Sequence, residues 1–397
     1  MKICFFTENS YKGGMDKFVY TLANNWPNKE DEITILCNSS HPGYEDINNQ
    51  LNPKNVIKPS NIVLSWELKS TIANYLPRNI ISIISFVLKY LLFPYQIFKL
   101  YIYFRNSNFK KLFTINGGYP GGYSCRAAPI AWYLAKKQKS KMACLSAIKK
   151  TIWYAAPFEY LLDKILSFSL DELIFPSQYV KDTQSLRSSL KNIPSTVIYN
   201  GIDKYPIDFH SVKDNKIIKF LMLATYEKHK GHSLLLESFK KVIENFNCTN
   251  FQLTIAGYGT NEQRRNIIDE IKLKNLNEFV NLLDFQENVL ELYQATHAVI
   301  IPSIKYEALP LTAIEAMSLQ IPIITSDTGG LKEIFSLNKD IGLISSPSSS
   351  SMSKNIYMFI QNPDKHKMYG QHGIDTFTKY FTSEVCAAKY YSSLINH

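Results

Sequence analysis

Short apolar runs alternate with helix-length segments along almost the whole chain, and the alternation starts twice. The first series reads "KICFF", "EITIL", "KLFTI", "KMACL", "ELIF" and "STVIY". After about residue 215 a second begins, with "IIKFLML", "FQLTIAG", "FVNLL", "HAVIIP", "IPIITS" and "IGLIS". Strands that are apolar throughout belong to parallel sheets covered by helices on both faces. Two such series predict an α/β chain of two doubly wound domains, with ligands held at the carboxyl ends of the strands. The length, 397 residues, fits two domains of ordinary size. The polar stretch "NGIDKYPIDFHSVKDNK" (200–216) places the boundary. This gives a first domain over 1–205, a second over 206–380 and a final helical segment over 381–397. "SSPSSSSMS" (345–353) reads as a surface loop before the last helices.

Charge separates the two halves. Residues 1–205 carry 25 Lys and Arg against 14 Asp and Glu, while the remainder carries 19 against 20. Between Glu67 and Glu159 no acidic residue occurs, yet Lys and Arg occur 14 times. Such a face is drawn to anionic lipid headgroups or to nucleic acid; no nucleic-acid-binding motif accompanies it, so nucleic acid is not an expected partner. Within this region "RNIISIISFVLKYLLFPYQIFKLYIYFRNSNFKK" (78–111) is apolar and aromatic. Lys89, Lys99, Gln96 and the central Pro94 argue against a membrane span. A pair of helices lying on a bilayer surface is expected instead, with aromatic side chains inserted and lysines on phosphates. Six cysteines are dispersed at positions 4, 37, 125, 144, 248 and 386 without metal-ligand spacing, which suits a reducing cytosol. The opening "MKICFFTENS" holds an apolar run too short for a secretory signal and reads as a first strand.

The most informative segment is "SIKYEALPLTAIEA" (303–316), a loop and helix that follow the strand-like "HAVIIP". Pro310 suits the first helical position, which leaves the amides of Leu311 and Thr312 at the helix end as an anion site. Glu307 lies just ahead of that end and Glu315 more than a turn inside it. Carboxylates there are best used on neutral hydroxyls either side of a phosphate, the layout of a nucleotide sugar. Alone they would read as solvated glutamates. "LATYEKHKGHSLLLESF" (223–239) is a second strand-to-helix turn, with Lys230 able to reach a phosphate and Gly231 permitting close backbone approach. "TENSYKGGMDKFVYTLANNW" (7–26) opens a helix at Gly13-Gly14, and "DTGGLKEIF" (327–335) supplies Gly329-Gly330. "GYGTNEQ" (257–263) lacks the third glycine of a dinucleotide loop.

The order of "VIYNGID", "KGHSLLLESF", "LTIAGYGT", "PSIKYEALPLTAIEAM" and "IPIITSDTGGLKEI" resembles retaining glycosyltransferases of family four, the glycosyl transferases group 1, with the GT-B fold. Glu307 and Glu315 match that family's E-x7-E motif. The resemblance implies two Rossmann-like doubly wound domains facing a central cleft, with a nucleotide-diphosphate sugar held mainly by the second. By the same carry-over Glu315 would hold the ribose hydroxyls and Glu307 the transferred sugar, while Lys230 would neutralise the diphosphate. The amides of Leu311 and Thr312 would support phosphate or sugar, Gly14 would add an amide from the opposite domain, and the loop near Phe285 would receive the base. Transfer would retain configuration and need neither metal nor cofactor beyond the sugar nucleotide. Two family features are absent. Ala224 and Thr225 stand where an arginine usually precedes the Lys-Gly pair, with Lys228 or His229 able to compensate in part. No histidine stands near Ser146 or Ala147, where many members carry one.

These readings converge on a cytoplasmic hexosyltransferase, peripheral on the inner face of the cell membrane. It would move a hexose or N-acetylhexosamine from a UDP-sugar to a lipid-linked or growing surface glycan, as in capsule, O-antigen or exopolysaccharide assembly. The alternatives are transfer to a soluble acceptor and a non-catalytic glycan-binding protein. In GT-B proteins the last helix, here within "FTSEVCAAKYYSSLIN" (381–396), commonly returns to the first domain.

Overall fold

A computed structural model describes residues 1–72, 77–205 and 216–395. Part of the predicted boundary, 206–215, lies outside the described residues. The chain divides into two compact units, one running from Met1 to Asn200 and taking in the segment from Ser383, the other from Gly201 to Thr382.

The first unit holds β1 (Lys2–Thr7), β2 (Glu32–Cys37), β3 (Val56–Pro59), β4 (Lys111–Asn116), β5 (Ser140–Cys144), β6 (Leu170–Phe175) and β7 (Ser195–Val197). Every pairing is parallel, in the order β3-β2-β1-β4-β5-β6-β7. The strands the sequence predicts are all present. β3 was not predicted: it is a short edge strand whose Val56 is exposed, so it carries no continuous apolar run, and Pro59 closes it. The helices are α1 (Gly14–Asn24), α2 (Tyr44–Gln50), α3 (Ser65–Ile72), α4 (Arg78–Asn106), α5 (Tyr123–Lys136), α6 (Ala156–Ser169) and α7 (Gln178–Asp182).

The expected pair of surface helices over 78–111 is instead the single α4, with Pro94 inside it. A proline removes one helical hydrogen bond. Here packing on both sides of it keeps one rod: Ile81 and Phe93 before, Gln96, Leu100 and Phe104 after, are all buried. Gln96 donates to the Val63 carbonyl at 2.9 Å, and Phe104 meets Trp132 of α5 edge-on at 5.5 Å. From Ile80 to Asn106 the helix is long and apolar enough to cross a bilayer by length and composition. Its opposite face leaves Ile83, Val87, Leu91 and Phe98 exposed.

The second unit repeats the plan with β8 (Ile218–Leu223), β9 (Phe251–Ala256), β10 (Val280–Leu283), β11 (Ala298–Ile301), β12 (Ile323–Ser326) and β13 (Gly342–Ser345). All are parallel, in the order β10-β9-β8-β11-β12-β13. Its helices are α8 (His232–Phe246), α9 (Asn261–Leu273), α10 (Leu290–Gln294), α11 (Leu311–Ser318), α12 (Gly330–Leu337), α13 (Ser349–Gln361) and α14 (Asp364–Tyr380). The serine run is a loop only in part. Ser348 accepts a hydrogen bond from the Ser351 amide as the N-cap of α13, which already includes Ser349–Ser353. The last helix, α15 (Ser383–Ile395), packs in the first unit: Tyr390 meets Phe18 and Phe113, and Lys141 donates to the Ser393 carbonyl at 2.6 Å. All six cysteines are free and buried.

Candidate active site

In each sheet the chain reverses its direction of travel between two adjacent strands, β1 and β4 in one unit, β8 and β11 in the other. The loops leaving such a pair diverge and open a crevice at their carboxyl ends. In the second unit the two loops are those the sequence singled out. After β8 the chain turns through Lys228–Lys230 and enters α8 at Gly231, which has a left-handed φ of 83°. A Cβ at Gly231 would lie 1.9 Å from the Pro302 carbonyl oxygen, so only glycine lets this turn lie against the end of β11. The Ile304 amide donates to the His229 carbonyl at 2.9 Å, tying the two loops together.

That tie brings Lys230 and Glu307 into direct contact, Nζ to Oε1 at 2.7 Å. Ser303 Oγ donates to the same carboxylate oxygen at 2.5 Å. Glu307 is buried, and its backbone is held from behind by the Gly329-Gly330 pair. The Gly330 amide donates to the Glu307 carbonyl at 2.8 Å, and a Cβ on Gly329 would come within 2.2 Å of that oxygen. The second glycine pair therefore supports the glutamate loop by close backbone packing.

Helix α11 starts at Leu311, with Pro310 as its N-cap, one position earlier than the sequence suggested for the proline. Pro310 makes no side-chain cap, so it does not take up the first-turn amides of Leu311 and Thr312. Leu311, Thr312 and Glu315 are all half-buried and fall on one side of the helix. Buried Tyr293 of α10 donates to Glu315 Oε2 at 2.9 Å and fixes its carboxylate. Burial, and then the Glu315 carboxylate, push the Tyr293 hydroxyl well above its ordinary range, keeping it a donor. Tyr293 and Ser303 were not found from the sequence, where nothing marks a hydroxyl 22 or 4 residues from its carboxylate as a partner.

Phe285, in the loop after β10, is exposed and meets Tyr258, from the loop after β9, edge-on at 5.7 Å. His229 stacks on Tyr306 at 5.0 Å and Lys228 is exposed. Burial and the neighbouring Lys230 lower the His232 imidazole to about 4, so it is neutral near pH 7. Gly14 belongs to the first unit, where it opens α1. Beside it the Asp16 carboxylate accepts the Gly13 amide at 2.9 Å and contacts His41 Nε2 at 2.8 Å.

Residues 203–376, nearly all of this unit, match the family model described as glycosyl transferases group 1. Over that span the second unit is similar to glycosyl transferases group 1 domains. An uncharacterized glycosyltransferase of Methanocaldococcus jannaschii is 30% identical over 179 residues, 40% of this chain and 44% of the relative. An O-antigen biosynthesis glycosyltransferase of Escherichia coli, WclY, is 29% identical over 160 residues, 38% of this chain and 41% of the relative. The chain spans between 35% and 59% of the length of the M. jannaschii relatives it matches. Among solved structures, HepE of Anabaena in complex with UDP and glucose superposes with a TM-score of 0.72, covering 100% of both chains at 14% identity. That likeness is one of fold, and it spans both units.

Proposed function

We propose that this chain is a retaining, metal-independent glycosyltransferase that moves a hexose or N-acetylhexosamine from a UDP-sugar to a lipid-linked or growing surface glycan. The observation that carries the reading is the Lys230–Glu307 contact at the β8/β11 crevice, next to the uncapped end of α11. An anionic diphosphate competes with Glu307 for the ammonium and is also met by the Leu311 and Thr312 amides. Glu307, released from Lys230, then accepts hydrogen bonds from the sugar hydroxyls. Glu315, held by Tyr293, does the same for the ribose, and the aromatic pair Tyr258–Phe285 offers an exposed face to the base. The acceptor oxygen forms its bond to the anomeric carbon on the side from which the diphosphate departs. That same-face attack retains configuration, and the phosphate oxygen freed by cleavage takes the acceptor's proton. Two cationic or dipolar partners stabilise the charge that builds on the leaving group, Lys230 and the helix end. UDP in the HepE structure supports the choice of nucleotide.

The lipid-linked acceptor rests on the first unit. Its basic excess and the outward apolar face of α4 suit a peripheral protein on an anionic, cytoplasmic membrane surface, where such an acceptor lies. The E. coli O-antigen relative points the same way. A donor screen with detergent-solubilised lipid acceptor, read by mass spectrometry, tests the reading. The acceptor should gain the mass of one sugar from a UDP-sugar; no transfer from any nucleotide sugar would overturn it.

A further inference from the structure

Helix α6 is built inside out. Its two acids, Glu159 and Asp163, face the protein and are each 2% exposed, while Phe158, Leu161, Ile165 and Phe168 face outward at 56%, 56%, 41% and 61% exposure. The spacing of those four, i, i+3, i+7 and i+10, is one continuous helical stripe. A helix facing water shows the reverse polarity. The acids are held inside by Arg126 of α5 and by Arg187: Glu159 lies 2.8 Å from one guanidinium and 2.9 Å from the other, Asp163 at 3.2 and 2.8 Å. Tyr123 and Tyr90 donate to Glu159, and Tyr119 to Asp163. The pairing therefore withdraws from the surface the only acids between residues 68 and 170 and leaves Lys139 and Lys164 beside the apolar stripe.

Those two lysines line a cavity of about 510 Å³ at the end of α6, with Ser167, Ser188, Asn192 and Asp171. Leu170, the first residue of β6, and Pro194, just before β7, also border it, so it opens at the amino-terminal edge of the sheet. Ligand crevices of doubly wound sheets lie at the other edge, which separates this cavity from the acceptor site expected of the unit. Tyr160, Lys164 and Phe168, at i, i+4 and i+8, run along the cavity wall next to the stripe. Chains lying on the stripe and a headgroup in the cavity would thus belong to one molecule.

We propose that α6 docks on the bilayer and that this cavity receives the headgroup of an anionic phospholipid. Two ammonium groups suit its phosphodiester, and the Asp171 carboxylate with the serine hydroxyls suits a headgroup that itself carries hydroxyls, as phosphatidylglycerol does. The inference rests on the membrane reading above and specifies where and by what chemistry the contact is made.

Sedimentation of the full chain with vesicles tests it, using phosphatidylcholine alone or mixed at equal charge with phosphatidylglycerol or phosphatidylserine. Wild type should favour phosphatidylglycerol several-fold over phosphatidylserine. Lys139→Glu/Lys164→Glu should lose at least tenfold in binding with an unchanged melting temperature, and Lys139→Gln/Lys164→Gln should lose the preference. Leu161→Asp/Ile165→Asp should lose binding to every vesicle. If these variants bind like wild type while Ile83→Asp/Leu91→Asp in α4 does not, the membrane reading stands and this inference falls. Equal binding of the two anionic lipids by wild type overturns the cavity assignment. A wild-type chain that stays in the supernatant with every vesicle overturns both.

Discussion

Glu307→Ala is expected to reduce sugar transfer by at least roughly 10²–10³-fold, the range for removing one preorganised polar group from a reacting centre. The carboxylate is buried, receives Ser303 and Lys230 on the same oxygen, and is fixed from behind by Gly329 and Gly330. Its loop is therefore held by backbone packing that the substitution leaves in place, and the second unit should remain folded. The loss belongs in kcat. UDP binding should change by less than tenfold, because the substitution frees Lys230 for the diphosphate. A steady-state assay with a UDP-sugar checks this, and full activity in Glu307→Ala would refute the assignment.

Arg126→Ala should damage the first unit rather than the chemistry. Arg126 is fully buried and bridges Glu159 and Asp163, with its guanidinium 4.4 Å from the Tyr123 ring centre. Removing one partner of a buried ion cluster costs about 3–5 kcal/mol, since the remaining charges stay buried and short of a counter-charge. Chemical denaturation should show that loss in the transition of the first unit. The cluster also predicts acid sensitivity. Burial works against ionisation of Glu159, but Arg126, with Tyr123 and Arg187, outweighs it and brings the carboxyl from its ordinary 4.5 to about 2. A lowered native value stabilises the fold at pH above 4.5, and that contribution fades as pH falls from 4.5 towards 2. Stability of the Arg126→Ala protein should vary less across this window than that of wild type. Equal stability of the two proteins at pH 7 would show that the cluster contributes nothing.

The two parallel sheets were legible because each central strand is buried on both faces and so reads as an unbroken apolar run. β3 was not legible, since an exposed edge strand has no such run. Pro94 suggested a helix break, but burial before and after it decided for one rod, a tertiary effect that local rules do not contain. Lys230 and Glu307 could each be placed at a strand end. Their mutual contact could not, because 77 residues separate them and only the β8/β11 adjacency brings them together. The same limit hid the cluster on α6. Arg126 counted in the basic face between Glu67 and Glu159, and Arg187 only in the positive excess of residues 1–205, whereas both are buried against acids 24 to 37 positions away. Ala224 and Thr225 stand where the family pattern places a clamp arginine. The structure leaves Lys230 as the cation in contact with Glu307 at that turn, with Lys228 exposed beside it.

In the proposed function the β8/β11 crevice grips a nucleoside diphosphate through Lys230 and the α11 end. Isothermal titration calorimetry of the full chain with UDP measures it directly. A charge-assisted contact of about 1.5–3 kcal/mol corresponds to roughly a 10–100-fold weaker Kd in Lys230→Ala than in wild type. Saturable UDP binding by wild type with that loss is the expected result; no heat at millimolar UDP, or an unchanged Kd in Lys230→Ala, would contradict it.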